Sequence, residues 1–166
     1  MSIGLFYGST TGNTEDAAEK IAGAFSADVE VQDIADCEAS DLAGFDALIL
    51  GSATLGDGDL QDDWEALIDD LDEVDLSGKK VALFALGDQE EYPDTFADAL
   101  GLLNEKIIAC GATVVGEWPT EGYDFEESTG VSGDNFMGLV LDEDNQDELS
   151  DDRIAEWVKM VEPLLV

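Results

Sequence analysis

Residues 1–25 read MSIGLFYGSTTGNTEDAAEKIAGAF, and this stretch places a strand, a glycine-containing turn and a helix in direct succession. Met1–Tyr7 is a short, mainly apolar run, which is typical of a strand that is buried on both faces of a sheet. The run ends at Gly8, and apolar residues at helical spacing then recur between Ala17 and Phe25. A buried strand that leads directly into an amphipathic helix predicts an α/β domain with a parallel sheet.

The same alternation of strand and helix continues along the chain. Four more short apolar runs are predicted as strands, namely Val29–Val31, Ala47–Leu50, Val81–Leu86 and Thr113–Val115. Further helical stripes lie in Trp64–Leu71, Phe96–Ile107 and Ile154–Val161, and Pro163 is expected to help end the last helix. The sequence therefore predicts a single domain over residues 1–166, a three-layer, doubly wound fold around a five-stranded parallel sheet.

One stretch departs from this alternation. Trp118–Asn135 reads WPTEGYDFEESTGVSGDN and is rich in glycine, and Phe136–Leu141 then has the character of a strand again. A loop of this length inside a compact domain is unusual unless it is a functional insertion. We therefore expect an insertion over about residues 118–135 that interrupts the fifth strand.

The composition excludes several classes of function. The chain has 6 Lys and Arg against 41 Asp and Glu, a formal net charge of −35, and it has no histidine. The charge repels nucleic acids and anionic membranes, and the lack of histidine excludes histidine triads and histidine-ligated metals. Two cysteines are too few for a disulfide scaffold or a four-thiolate zinc site. No apolar run is long enough to span a membrane and no signal peptide is recognised, so a cytoplasmic protein is expected.

The turn Gly8–Thr14 (GSTTGNT) is the strongest candidate binding motif. It combines hydroxyl side chains with glycines that allow close approach of a ligand, and the following helix directs its N-terminal amides there. It has no lysine and matches neither GxxxxGK[ST] nor GxGxxG, which favours a phosphate monoester held by neutral groups. The alternative is an ordinary helix cap, because Ser, Thr and Asn are common at that position.

Two further loops follow strands at the same edge of the predicted sheet. Gly51–Asp59 follows the third strand and contains Leu55, and Leu86–Pro93 follows the fourth and contains Tyr92. These two large side chains are suited to enclose a flat ring between them. The alternative is that Leu55 is an isolated surface residue and that Tyr92 packs on its own loop.

Together, the loops resemble those of flavodoxins. The matching motifs are SxTGNT at Ser9–Thr14, TLGDG at Thr54–Gly58, GDQxxYxxxF at Gly87–Phe96, LDEDNQ at Leu141–Gln146 and DDRIAEWV at Asp151–Val158. The interrupted fifth strand is similar to that of the long-chain subgroup. Flavodoxins are themselves a standard example of ligand binding where the strand order reverses, with FMN between the first and third strands.

The resemblance implies a low-potential one-electron carrier that holds FMN without a covalent bond and works through its semiquinone and hydroquinone states. Residue by residue, it implies that the FMN phosphate is held by Ser9, Thr10, Thr11, Gly12, Asn13 and Thr14. The inner face of the ring would be lined by Ala53, Thr54, Leu55 and Gly56. The outer side would be lined by Leu86, Gly87, Asp88 and Tyr92, with Tyr92 stacked on the ring, and Asp144 would approach the ribityl or phosphate side.

Three positions depart from the pattern that is common in the family. Leu55 and Ala53 stand where many relatives have Trp and Pro, and Thr95 replaces a frequent Asn. Stacking on the inner face is therefore expected to be aliphatic. Gly56 is hypothesised to turn its carbonyl toward the ring and to accept a hydrogen bond from N5–H of the semiquinone.

The family also implies the kind of partner. A carrier of this type is expected to be a monomer that meets redox proteins with basic docking surfaces, both reductase-type donors and low-potential acceptors. The acidity exceeds what docking requires, and we interpret it as halophilic adaptation. The alternative is an acidic carrier whose charge serves only its basic partners. Two alternatives on a similar fold stay open at this point, an FMN-dependent quinone reductase-like enzyme and a receiver-type signalling module.

Overall fold

The structure, a computed structural model, describes residues 2–10, 12–55 and 58–165. Its four α-helices are α1 Asn13–Ala24, α2 Asp62–Leu67, α3 Asp98–Ala109 and α4 Asp147–Leu165. The longer strands are β1 Ile3–Gly8, β2 Val29–Asp33, β3 Ala47–Leu55 and β5 Lys80–Leu86. The shorter ones are β4 Asp59–Leu60, β6 Thr113–Val115, β7 Trp118–Pro119, β8 Val131–Ser132, β9 Asn135–Phe136 and β10 Leu139–Leu141.

The central sheet is parallel, with the order β10-β5-β3-β1-β2. Strands β6 and β10 share the position beside β5, because β6 pairs with Lys80–Ala82 and β10 pairs with Phe84–Leu86. The fifth strand is therefore present in two pieces, and the prediction that an insertion interrupts it is confirmed. The short β4 pairs antiparallel with the end of β3 and turns the chain toward α2.

Apolar cores lie on both faces of the sheet, which explains why central strands such as β1 and β5 read as apolar runs. Leu5 of β1 packs on the face that α1 and α4 cover, whereas the next residue, Phe6, packs on the opposite face with Trp64 and Phe96. Trp64 and Trp157 are fully buried, one on each face. The predicted three-layer arrangement is therefore confirmed.

The insertion forms a small antiparallel sheet with the order β7-β9-β8, where the sequence predicted a loop. Its aromatic residues cluster with Phe96 of the main core, and Trp118 donates a hydrogen bond from Nε1 to the hydroxyl of Tyr123 at 2.9 Å. The guanidinium of Arg153, from α4, lies 4.0 Å above the Tyr123 ring. The insertion is thus packed on the domain at its root.

Two helical predictions need correction. The stripe that begins at Trp64 is α-helical only as far as Leu67, and it continues as a 3₁₀ helix over Ile68–Glu73. Pro163 lies inside α4, which ends at Leu165, so the prediction that proline helps to end this helix is wrong. Proline removes one backbone donor here, but Leu165 is buried against the sheet, and this burial keeps the last turn helical.

Tyr123 of the insertion is expected to make the free energy of unfolding depend on pH in the alkaline range. Burial raises the pKa of Tyr123 to about 12, against the opposing effect of Arg153. The unfolded chain releases this proton near pH 10, so the stability from the neutral phenol is complete below pH 10 and is lost as the pH rises toward about 12. We expect Tyr123→Phe to make the free energy of unfolding fall less steeply over this range, as measured by urea denaturation.

The matched control is Tyr92→Phe, because the side chain of Tyr92 is 38% exposed. Both variants are compared with the unmodified protein without added ligand. An equal slope for Tyr123→Phe and the parent protein would contradict the prediction.

Candidate functional site

A cleft of about 410 Å³ opens at the carboxyl edge of the sheet, where β1, β3 and β5 end side by side. Three loops and the start of α1 form its walls. Its lining residues are Asn13, Thr14, Ala53, Thr54, Leu55, Leu86, Gly87, Asp88, Tyr92, Glu143 and Asp144. The structure therefore brings together ten of the residues that the sequence singled out, and it adds Glu143, which the sequence analysis missed.

The turn before α1 shapes one end of the cleft. Gly12 precedes the helix with a φ of 96°, a left-handed conformation that glycine adopts without strain. No side chain caps α1 among the described residues, so its first amides lack the side-chain acceptor that a cap usually supplies. The Ser9 hydroxyl accepts a hydrogen bond from the Gly12 amide at 3.1 Å and thereby closes the turn. Thr11 was also predicted here, and it lies outside the described residues.

Two threonines supply hydroxyls at this end. Thr14 lines the cleft and is only 1% exposed. Thr10 is exposed, and its hydroxyl accepts a hydrogen bond from Nε2 of Gln61 at 3.2 Å. The outcome is a neutral set of hydroxyls and amides at a helix N-terminus, which suits a phosphate group.

Gln61 supports the turn from behind, although it was not among the residues predicted from the sequence. Its side chain is buried, and its Oε1 accepts a hydrogen bond from the backbone amide of Asp63 at 2.9 Å, which caps α2. The backbone amide of Gln61 donates to Ser52 Oγ at 3.1 Å. It therefore joins the turn before α1, which we call the phosphate-side turn (the described residues among 9–14), to β3 and α2. The position just before the helical stripe, where caps are common, was the only signal for it in the sequence.

The other end of the cleft has the side chains expected around a flat ring. Leu55 ends β3 and Tyr92 lies across the cleft in the loop after β5, with 38% of Tyr92 exposed. Thr54 is fixed to α3 because its hydroxyl accepts from the Ala99 amide at 3.3 Å. The predicted neighbour Gly56 lies outside the described residues, so the hypothesis about its carbonyl stays a prediction.

Asp88 organises the loop that carries Tyr92, which we call the ring-side loop (residues 86–92). Its carboxylate accepts from the amides of Glu90 and Glu91 at 3.2 and 3.0 Å, and its carbonyl accepts from the Tyr92 amide at 2.9 Å. The carboxylate also accepts from Nδ2 of Asn145 at 2.8 Å. Asp88 is therefore a structural centre of the loop as well as part of the cleft wall.

The cleft is acidic. Asp88, Glu143 and Asp144 line it, and no Lys or Arg is among its lining residues in the described part of the chain. Desolvation, followed by the nearby carboxylates of Asp88, Asp142 and Glu91, raises the pKa of Asp144. The carboxylates around Asp144 therefore already repel one another, and they disfavour further negative charge nearby.

A second groove of about 460 Å³ lies on the other side of the ring-side loop, against the insertion. It is lined by carboxylates and amides, with Phe125 and Pro93 as its apolar surface. Its described lining has no hydroxyl side chain, and it contains the carboxylates of Glu90, Asp124 and Glu126. The cleft therefore fits a flat ring with an anionic tail better than this groove does.

Comparison with known proteins gives a consistent result. The family model described as Flavodoxin matches residues 5–157. The chain is 51% identical to a flavodoxin of a Picosynechococcus species over 163 residues, which is 97% of this chain and 96% of that protein. It is 50% identical to a flavodoxin of a Synechocystis species over 165 residues, which is 98% of this chain and 97% of that protein.

Solved structures agree with the sequence comparisons. The structure of a Fusobacterium nucleatum flavodoxin bound to flavin mononucleotide matches with a TM-score of 0.95 and 29% identity, covering 99% of both chains. An oxidised flavodoxin of Bacillus cereus matches with a TM-score of 0.69 and 34% identity, covering 96% of this chain and 98% of that one.

Proposed function

This chain belongs to the flavodoxin family, and from that premise we propose that its sheet-edge cleft is the place where it holds FMN. The phosphate would be held by Ser9, Thr10, Thr11, Gly12, Asn13 and Thr14. The ring would lie between the inner wall (Ala53, Thr54, Leu55, Gly56) and the outer wall (Leu86, Gly87, Asp88, Tyr92), with Asp144 on the ribityl or phosphate side. The long-chain assignment and the single domain over residues 1–166 stay predictions.

One observation carries this proposal. The N-terminus of α1, which no described side chain caps, and the buried Thr14 lie at one end of a cleft whose other end is walled by Leu55 and Tyr92. Hydrogen bonds from amides and hydroxyls to a dianion are stronger than those to neutral groups. The arrangement therefore matches a ligand with a phosphate at one end and a flat apolar ring at the other.

The protein is an electron-transfer protein, not an enzyme, and this excludes the quinone reductase and receiver alternatives. When bound, FMN supplies the one-electron chemistry, and the chain supplies the position and the electrostatic field. Asp88, Glu143 and Asp144 oppose any negative charge that is added to the cleft. Because charges beyond about 10 Å are largely screened, these three carboxylates matter more than the rest of the surface. About 1.4 kcal/mol of such repulsion lowers a one-electron potential by about 59 mV.

The chain exchanges electrons with redox partner proteins, as its family does. We propose that these partners present basic surfaces, because the acids around the exposed edge of Tyr92 favour them. The described residues include no helix that is long and apolar enough to cross a membrane. The cytoplasmic location and the monomeric state stay predictions.

Titration of the protein without cofactor tests the proposal. We expect it to bind FMN with quenching of the flavin fluorescence, to bind riboflavin more weakly because that ligand lacks the phosphate, and to take up electrons one at a time in a reductive titration. Equal affinity for FMN and riboflavin would contradict the assignment of residues 9–14 to the phosphate. No binding of either ligand would overturn the proposal as a whole.

A further inference from the structure

Asp142 is a fully buried carboxylate behind the cleft, directly after β10. It forms no ion pair with a described Lys or Arg, and it is held by neutral donors. Its Oδ2 accepts from the Gln89 amide at 3.0 Å and from Gln89 Nε2 at 2.7 Å. The amide of Asn145 donates to Oδ1 at 3.1 Å, and Nδ2 of Asn145 contacts both oxygens at 3.2 and 3.0 Å.

Burial of a charge without a cation is costly unless hydrogen bonds surround it. The other carboxylates of this acidic chain are only partly buried or exposed in the described residues, which makes Asp142 exceptional. It does not line the cleft. Its position therefore points to a role through the residues that it binds.

The two residues bound to Asp142 extend to the ring-side loop and the insertion. Gln89 belongs to the ring-side loop, is 4% exposed, and accepts at its Oε1 from the Asp124 amide of the insertion at 2.6 Å. Asn145 donates to the Asp88 carboxylate, which in turn fixes the amides of residues 90 and 91. One buried carboxylate thus joins the 142–145 segment, the ring-side loop and the insertion.

We propose that Asp142 is a positioning residue that holds the ring-side loop, and with it Tyr92, in the conformation that binds the flavin ring. This inference rests on the proposed function of the cleft. It also gives the insertion a role, because the Gln89–Asp124 hydrogen bond lets the insertion stabilise the same loop. The phosphate-side turn depends on separate contacts, Ser9 with Gly12 and Thr10 with Gln61. We therefore expect the network to affect ring binding more than phosphate binding.

The variant Asp142→Asn tests the proposal, since it keeps the shape of the side chain but replaces one acceptor oxygen with an NH₂ group. This NH₂ group is itself a donor and would face the N–H donors of Gln89 and Asn145. We expect riboflavin affinity to fall by about tenfold or more, the equivalent of about 1.4 kcal/mol. The affinity for inorganic phosphate, measured by competition with FMN, should stay within about twofold of the parent value, well under 1 kcal/mol. The visible circular dichroism of bound flavin should also change, because the Tyr92 wall moves.

A second variant keeps the test decisive if Asp142→Asn does not fold. Gln89→Met retains the backbone amide that binds Asp142 but removes the side-chain bonds to Asp142 and to the insertion, and it should weaken riboflavin binding in the same way. Gln32→Met is the matched control, because Gln32 lies in β2 and hydrogen-bonds to Glu30 and Cys37, away from the cleft.

The outcomes separate the two proposals. Unchanged riboflavin affinity in folded Asp142→Asn and Gln89→Met would overturn the positioning role. An equal loss of riboflavin and phosphate affinity would also overturn it, because that pattern indicates general damage to the cleft. Failure of the parent protein to bind FMN would instead overturn the proposed function.

Discussion

Replacement of Thr14 by Val is expected to weaken FMN binding by about 10- to 100-fold, because a hydrogen bond to a charged group contributes about 1.5–3 kcal/mol. Thr14 is buried at the start of α1 and lines the cleft, and valine keeps its shape while removing the hydroxyl. Riboflavin has no phosphate, so its affinity should change little. The measurement is a fluorescence titration of the cofactor-free variant with each flavin.

The comparison of the two flavins makes this prediction specific. Thr113→Val is the control, since Thr113 is exposed in β6 and does not line the cleft. It should leave both affinities at the parent values. An equal loss of FMN and riboflavin affinity in Thr14→Val would contradict a phosphate role, because it would indicate a distorted cleft.

The strands were predictable from the sequence where burial on both faces requires an unbroken apolar run. Runs such as Val81–Leu86 are buried on both faces, and β5 differs from that run by one residue. The run Ala47–Leu50 predicted only the first part of β3, which continues to Leu55. The polar Ser52 hid this extension, and its hydroxyl is satisfied internally by the Ala53 carbonyl and the Gln61 amide. Such partners become visible only in three dimensions.

The candidate site was predictable where it follows from topology. Parallel strands end at one edge, so the loops after β1, β3 and β5 had to meet there. The supporting residues were not predictable in this way, because their partners are distant in sequence. Gln61 binds Thr10 and Gln89 binds Asp142, across 51 and 53 residues. In a chain with 41 acidic residues, one more aspartate after a strand gives no signal that it is buried.

The acidic surface is expected to make the stability of the fold depend strongly on salt. Only Lys20 and Lys106 form ion pairs among the described residues, so most carboxylates face others of the same sign. Each like-charge neighbour pair costs about 0.2–0.5 kcal/mol, and relief of about ten such pairs adds roughly 2–5 kcal/mol. Between about 0.1 M and about 1 M KCl the screening length falls from about 10 to about 3 Å. We therefore expect the Tm to rise by roughly 5–15 °C over this range, measured by circular dichroism.

Local substitutions distinguish screening from a general effect of salt on burial. Asp70 is exposed and forms no ion pair, whereas Asp72 pairs with Lys106 at 2.7 Å. Because Asp70→Asn removes a charge that has no ion-pair partner, it should raise the Tm at low salt and have little effect at high salt. Asp72→Asn also removes an attraction, so it should raise the Tm less or lower it. A Tm that does not respond to KCl, or an Asp70→Asn effect that persists at high salt, would contradict the interpretation of the acidity as halophilic adaptation, because repulsion between charges must weaken when counterions screen it.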